Sequence, residues 1–261
     1  MKVALIGVGR WGTILKGELS KIAEIKYAFD SKSDLNQVWN DPEVEAVLIA
    51  TPTETHFEIA SRALEAGKHV FLEKPGTDSS EKLEKLVKLA EEKSLKFAVG
   101  YEFPHHPAVK KLKELITGKK IKSVHFNWQK WGAFKDDAVM HLFCHEVSIA
   151  KFLGFEVKPE LLEKTGVISD SDIVEIESGN IKFRINRVSP VKQKIITVLT
   201  DNGNYIWSNN NLFEIVREEL REIVLPQTTA VSAEIADFLY SKIPLCNAQF
   251  ALEIYKIIEQ V

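Results

Sequence analysis

The sequence predicts an α/β protein, with a doubly wound parallel Rossmann sheet first and then a second α+β domain carrying a mostly antiparallel open sheet. Three observations predict it. The first hundred residues alternate short apolar runs with helix-length amphipathic stretches, the rhythm of parallel strands joined by crossover helices. The first run passes directly into a glycine-spaced turn, Gly7-Val8-Gly9-Arg10-Trp11-Gly12. After Lys120 the text becomes a succession of strand-like segments broken by turns. One of these is Asp201-Asn202-Gly203, whose Asn-Gly step accepts positive φ cheaply.

In chain order, segments 2–7, 24–30, 46–51, 69–73 and 96–101 are short and uninterruptedly apolar, as strands buried on both faces are. Between them, 11–22, 53–66 and 79–93 have helical spacing. Thr53 reads as an N-cap, Gly67 as a stop, and Leu83, Leu86, Val87 and Ala90 share one face. Segment 34–42 is polar and reads as a loop with a short helical turn. A helix over 107–117 ends at Gly118, and the basic turn 119–122 marks the expected domain boundary, giving 1–118 and 119–261. Beyond it come a long strand over 121–131, a helix over 137–153 closed by Gly154, and strands over 172–177, 180–187, 192–200 and 205–208. Two helices, 229–241 and 247–260, end the chain.

Composition excludes several classes of function. The chain has 34 Lys+Arg against 37 Asp+Glu, a net charge of −3, so electrostatics give no reason to expect a nucleic-acid partner. Lys82, Lys85 and Lys88 interleave with Glu81 and Glu84 and read as a solvated helix face. No apolar run approaches the roughly 18 residues a membrane helix needs. Two cysteines, Cys144 and Cys246, make no disulfide framework, and the N-terminus lacks a signal-peptide pattern, so a reducing cytoplasm is the expected location.

The turn at Gly7, Gly9 and Gly12 has the spacing of a dinucleotide-binding fingerprint, placed between a strand and a helix. The first glycine permits the tight turn, the second lets a pyrophosphate approach the backbone, and the third lets helix and strand pack closely. The N–H groups at Arg10 and Trp11 open the helix that would face the phosphates. Asp30 ends the second strand, 18 residues past Gly12, where a ribose-binding acid is expected. A carboxylate there favours NAD; Lys32, two residues on, could instead reach the 2′-phosphate of NADP.

The segments Ala50-Thr51-Pro52-Thr53-Glu54-Thr55-His56, Ala63-Leu64-Glu65-Ala66-Gly67-Lys68-His69-Val70 and Phe71-Leu72-Glu73-Lys74-Pro75 closely resemble the Gfo/Idh/MocA family of oxidoreductases. The resemblance continues through Val99-Gly100-Tyr101 and Pro107, and returns from Leu142 to Gly154. It implies NAD(P)-dependent oxidation or reduction at a carbon of a sugar, cyclitol or similar polyol, without a catalytic metal. It also implies a second domain whose open sheet joins copies into a homo-oligomer. The cofactor-binding positions it implies are Gly7, Gly9, Arg10, Trp11, Gly12, Asp30, Thr51, Pro52, Thr53, His56, Glu73 and Lys74.

Physical chemistry places reactivity at Lys74, expected at the C-terminal end of a parallel strand, where open α/β sheets build ligand sites. Pro75 keeps Lys74 extended. Its ammonium can stabilise negative charge on a substrate oxygen, with Glu73 as a partner that holds or tunes it. The family's second catalytic segment, a helical Asp-x-x-x-His, falls on His141-Leu142-Phe143-Cys144-His145. His145 matches the histidine and is the expected proton-transfer residue. His141 stands where the aspartate is expected, and Phe143 where the family usually has glycine. Either the enzyme takes an altered substrate, or the chain is a non-catalytic dinucleotide- or sugar-binding regulator. His141 and His145 also have the spacing of two metal ligands, but no third ligand is evident.

Glu102-Phe103-Pro104-His105-His106-Pro107 occupies a segment where relatives often carry Asn-Arg-Arg-Phe. The missing arginines imply that no strongly anionic substrate is gripped there, and His105 and His106 are expected in a solvated turn. Trp128 and Trp131 lie at odd spacing on one strand and should face opposite sides of the sheet. The second half looks short for the family, which predicts shortened loops and an open site.

Overall fold

The computed structural model describes residues 1–30, 33–132, 134 and 137–261. The chain divides into two compact units, one formed by Met1–Glu102 with Thr229–Tyr255 and the other by Phe103–Thr228 with Lys256–Val261. This differs from the expected division at 118/119. The helix over 107–116 belongs to the second unit, and the chain returns to the first unit near its end.

The first unit is a five-stranded parallel sheet in the order β2-β1-β3-β4-β5. Its strands are β1 (Lys2–Ile6), β2 (Glu24–Phe29), β3 (Ala46–Ile49), β4 (His69–Glu73) and β5 (Phe97–Gly100). Helices α1 (Arg10–Leu19), α2 (Asn36–Trp39), α3 (Thr53–Glu65) and α4 (Ser80–Glu92) make the connections. Strands β3 and β5 are buried at every residue, as two-sided cover demands. The order reverses about β1, so the crevice at the carboxyl ends of β1 and β3 is the topological switch point.

The return segment explains the division. Helix α7 (Ala230–Tyr240) lays Val231, Ile235, Phe238 and Leu239 into the same apolar cluster as Leu5 of β1, Leu15 and Leu19 of α1, and Phe71 of β4. After α7, Cys246 and Asn247 line the edge of β5: Val99 N–H donates to the Cys246 carbonyl at 3.0 Å, and Ala98 bridges Asn247. Helix α8 (Ala248–Ile258) follows. Its Tyr255 hydroxyl accepts from Thr77 N–H and donates to the Thr77 carbonyl, pinning the turn after β4.

The second unit opens with a 3₁₀ turn at Phe103–His105 and helix α5 (Pro107–Ile116). Next come β6 (Ile121–Trp131), a π-helical turn at Val139–Phe143 and helix α6 (Cys144–Leu153). The expected single helix over 137–153 is therefore interrupted. Asp137 caps the π turn, its carboxylate accepting from Val139 N–H and Met140 N–H at 2.9 and 3.0 Å. The remaining strands are β7 (Glu160–Thr165), β8 (Ile173–Ser178), β9 (Ile181–Asn186), β10 (Val188–Thr200), β11 (Asn204–Ser208), β12 (Asn211–Val216) and β13 (Glu219–Ile223). They form an eight-stranded sheet in the order β13-β12-β11-β10-β6-β9-β8-β7, antiparallel except for the β6–β9 pair. Strand β6 turns Trp128 towards α6, while Trp131 is 63% exposed, the opposed orientation expected from their spacing.

Both cysteines are free and buried, and among the described residues no helix is long and apolar enough to cross a membrane.

Candidate active site

The three glycines of the first turn do different work. Gly7 sits at φ +99°, and a Cβ there would lie 2.5 Å from the Ala50 carbonyl at the end of β3. A Cβ on Gly12 would come within 1.7 Å of the Gly7 carbonyl oxygen, so α1 can pack on the turn only without a side chain. Gly9 is the opposite case: a Cβ would meet nothing within 4 Å, and its backbone is extended, a conformation any residue adopts. The glycine keeps space clear above the turn. The α1 N-terminus beside it has no side-chain cap and no acidic residue in its first turn, so its N–H groups suit an anion. This cradle fits the pyrophosphate of a dinucleotide.

Asp30 follows β2 and is exposed, its Oδ1 accepting from the Ser33 hydroxyl at 3.1 Å. Lys32, the residue that could favour NADP, lies outside the described residues. At the end of β3, Thr51 and Pro52 lead into α3, whose first residue is Thr53; Pro52 occupies the N-cap position expected of Thr53. The Thr55 hydroxyl donates to the Pro52 carbonyl at 2.7 Å.

His56 is 1% exposed and lies between two turns: Nε2 is 2.7 Å from the Thr51 carbonyl and Nδ1 2.9 Å from the Pro75 carbonyl. Burial, the dominant influence, holds its pKa below the ordinary value against those carbonyls. With both ring nitrogens engaged on backbone, His56 acts on the site by holding the Thr51 turn to the Lys74–Pro75 turn, where the peptide bond is cis.

Lys74 is half-buried at the carboxyl end of β4, beside Glu73, which is 6% exposed. Burial pushes the Glu73 carboxyl up to about 7. The Trp11 indole N–H, which falls short of a full hydrogen bond, and the Lys74 ammonium both pull it down, and Glu102 pushes it up again. Gly100 makes room for this carboxyl, since a Cβ there would lie 3.1 Å from Glu73 Oε1. Glu234 of α7, which sequence reasoning missed, is 3% exposed; burial, then Glu73, Glu102 and Asp237, drive its carboxyl well above the ordinary value. Trp11 and Glu73 are thus neighbours, linking the phosphate turn to the Glu-Lys-Pro turn.

In the second unit, His145 is buried on α6. Its ring stacks on Trp128 (5.2 Å between centroids, 28° between planes) and meets Phe103 edge-on at 5.0 Å. His141 lies one turn earlier on the π-helical segment, half-buried, with its N–H donating to the Asp137 carbonyl at 3.0 Å. Next to His145, Glu146 is fully buried, and burial raises its carboxyl well above the ordinary value. The 3₁₀ turn corrects one expectation: His105 is buried, and His106 packs on Trp207 while capping α5 through Nδ1, which accepts from Ala108 N–H. Neither sits in a solvated turn: His105 is 2% exposed, and the Trp207 ring centre lies 5.1 Å from that of His106.

Residues 13–101 match the model of the Gfo/Idh/MocA proteins, described as an oxidoreductase family with an NAD-binding Rossmann fold. Over those residues the chain is similar to the Gfo/Idh/MocA oxidoreductases. It is 25% identical to the UDP-N-acetylglucosamine 3-dehydrogenase of Acidithiobacillus ferrooxidans, in an alignment covering 92% of this chain and 88% of that protein. Against the NADP-dependent scyllo-inositol 2-dehydrogenase IolW of Bacillus subtilis it is 28% identical, over 48% of this chain and 39% of the relative. A solved structure of the Acidithiobacillus enzyme shares the fold, with a TM-score of 0.89 and 22% identity over 100% of this chain and 96% of that one. The Acidithiobacillus enzyme is thus built to nearly the same length as this chain.

Proposed function

We propose that this oxidoreductase interconverts a secondary alcohol and a carbonyl on a sugar or cyclitol, with Lys74 and His145 as its catalytic side chains. One observation carries the reading: the strand ends of a single parallel sheet bring together an open, uncapped phosphate cradle and a lysine on a turn held from behind by His56. When bound, the dinucleotide supplies or accepts the hydride. Gly7, Gly9, Gly12 and the N–H groups of Arg10 and Trp11 would hold its phosphates, and Asp30 a ribose, which favours NAD. Thr51, Pro52, Thr53 and Glu73 complete the wall.

Lys74 donates a hydrogen bond to the substrate oxygen and stabilises the charge that develops there as the C–H bond breaks. Glu73 works through Lys74 and Trp11 as a positioning residue. His145 moves the hydroxyl proton, and His141 replaces the family carboxylate with a group that orients a hydroxyl by hydrogen bonding. The relatives' substrates, a nucleotide-linked sugar and a cyclitol, support the substrate class. The outward face of the eight-stranded sheet carries Ile195, Ile206, Phe213 and Leu220, with Ile206 and Phe213 paired across β11 and β12, and is our choice for contact with a second copy. A reducing cytoplasmic location fits the two free cysteines.

The test is Lys74→Met. Turnover with a sugar and cyclitol panel should fall by at least about a thousandfold, while NADH affinity stays within about threefold. Undiminished turnover refutes the assignment.

A further inference from the structure

We propose that a pocket in the second unit is an anion subsite that takes the phosphate or diphosphate ester of a sugar substrate. The proposal rests on the dehydrogenase reading above and narrows its substrate class. The pocket has a volume of about 370 Å³ and is lined by Trp128 of β6, Lys192, Gln193 and Lys194 of β10, and Asn209 and Asn210 of the β11–β12 turn. In a chain of net charge −3, the described residues of its lining include two lysines and no carboxylate.

The surroundings fix these groups as donors. The Lys194 ammonium lies 3.5 Å from the Phe103 ring centre, 4.8 Å from that of Trp207 and 5.1 Å from that of Trp128. Aromatic faces attract a cation without cancelling its charge, so the rings hold it in place. Asn209 has a left-handed backbone, φ +54°, and is tied to the same lysine: its Oδ1 accepts from Lys194 N–H at 3.1 Å, and its own N–H donates to the Lys194 carbonyl at 2.8 Å. Burial, followed by the Lys194 charge, lowers the His106 pKa to about 4, so the ring is neutral at neutral pH. Because His106 Nδ1 accepts from Ala108 N–H, its proton is on Nε2 and bonds the Asn210 amide oxygen. With the oxygens engaged within the protein, the amide N–H groups are what these two side chains can offer a ligand.

Two ammonium groups and two amide donors match a group rich in acceptor oxygens and carrying more than one negative charge. Trp128, one wall of the pocket, also stacks on His145. The subsite thus lies one ring from the imidazole assigned to proton transfer, close enough for both to act on one substrate.

The test uses the full chain saturated with NADH, titrated calorimetrically with inorganic pyrophosphate, UDP and glucose. Lys192 is exposed and its removal should not disturb folding; Lys194→Gln is the second variant. We expect pyrophosphate and UDP to bind, glucose to bind far more weakly, and Lys192→Ala to cost the two anions about tenfold in affinity, the scale of one charged hydrogen bond. Turnover of sugar 1-phosphates against UDP-sugars then separates the two sources of the ester, with Lys192→Ala raising KM at unchanged kcat. Anion affinity unchanged in both variants overturns the subsite, as does a KM that Lys192→Ala leaves unchanged for every phosphorylated sugar turned over. Lysine-dependent UDP binding without turnover of any compound would instead leave the subsite standing and remove the dehydrogenase reading.

Discussion

Replacing Glu73 with Gln should flatten the stability of the protein against pH over a defined window. Burial pushes the carboxyl up to about 7 in the folded chain from an ordinary value of 4.5, so folding holds its proton more tightly. Burial is the main cause, partly offset by Trp11 and Lys74 and reinforced by Glu102. The sign follows from linkage: stabilisation is complete below pH 4.5 and is lost as the pH rises through about 7. A gap of about 2.5 pH units at 1.36 kcal/mol each is about 3 kcal/mol. Glutamine has the shape of the protonated acid and does not titrate. Urea unfolding from pH 4.5 to 8, followed by circular dichroism on both proteins, gives the wild-type stability relative to the variant at each pH. That difference should fall by about 3 kcal/mol across the window and then level off. Parallel profiles would refute the reasoning, because they would mean that Glu73 is ionised or solvated in the folded state.

The phosphate turn makes a paired prediction. Gly12→Ala should cost more than about 4 kcal/mol, since its Cβ has no room, whereas Gly9→Ala should leave stability within about 0.5 kcal/mol. Gly9→Ala should nevertheless weaken NADH binding at least about tenfold, and thermal unfolding beside a fluorescence titration separates the two effects. Asp30→Ala should weaken NADH more than NADPH, shifting the ratio of their dissociation constants towards the phosphorylated cofactor; an unchanged ratio would show that Asp30 does not read the ribose. Tyr255→Phe strips the partner from both backbone groups of Thr77 and should cost about 1–3 kcal/mol by denaturant melt, far more than its single lost oxygen suggests.

Legibility followed sequence distance. The glycine turn, Asp30 and the Glu73-Lys74-Pro75 end of β4 could all be read because their physics is local: a turn geometry, a strand end, a restricted φ. Strands β7 and β13 escaped notice because they are exposed along almost their whole length and show no inward alternation. Glu234 looks like any solvated glutamate on a helix, but it lies on α7, whose Val231 and Ile235 are anchored in a core built from the other end of the chain. The burial of His106 escapes a local reading for a related reason, since the ring packed on it comes from residue 207. The lysine pocket combines β6, β10 and a two-residue turn, and no window of sequence contains it. The π turn before His145 has no periodic signature separable from an ordinary helix over so few residues.

The late return of α7 to the first sheet has a consequence for how this chain emerges from a ribosome. Leu15, Leu19 and Phe71 are synthesised well before Val231, Ile235, Phe238 and Leu239, the residues that close over them. The nucleotide-binding half therefore stays open along one apolar seam while the whole eight-stranded sheet is being made. Its last cover arrives only after that sheet is complete. An early stop codon anywhere between Pro75 and Ala230 would release a chain that keeps every residue of the phosphate turn and of the lysine turn, yet leaves that seam uncovered, a substrate for chaperones and proteases rather than a smaller working protein.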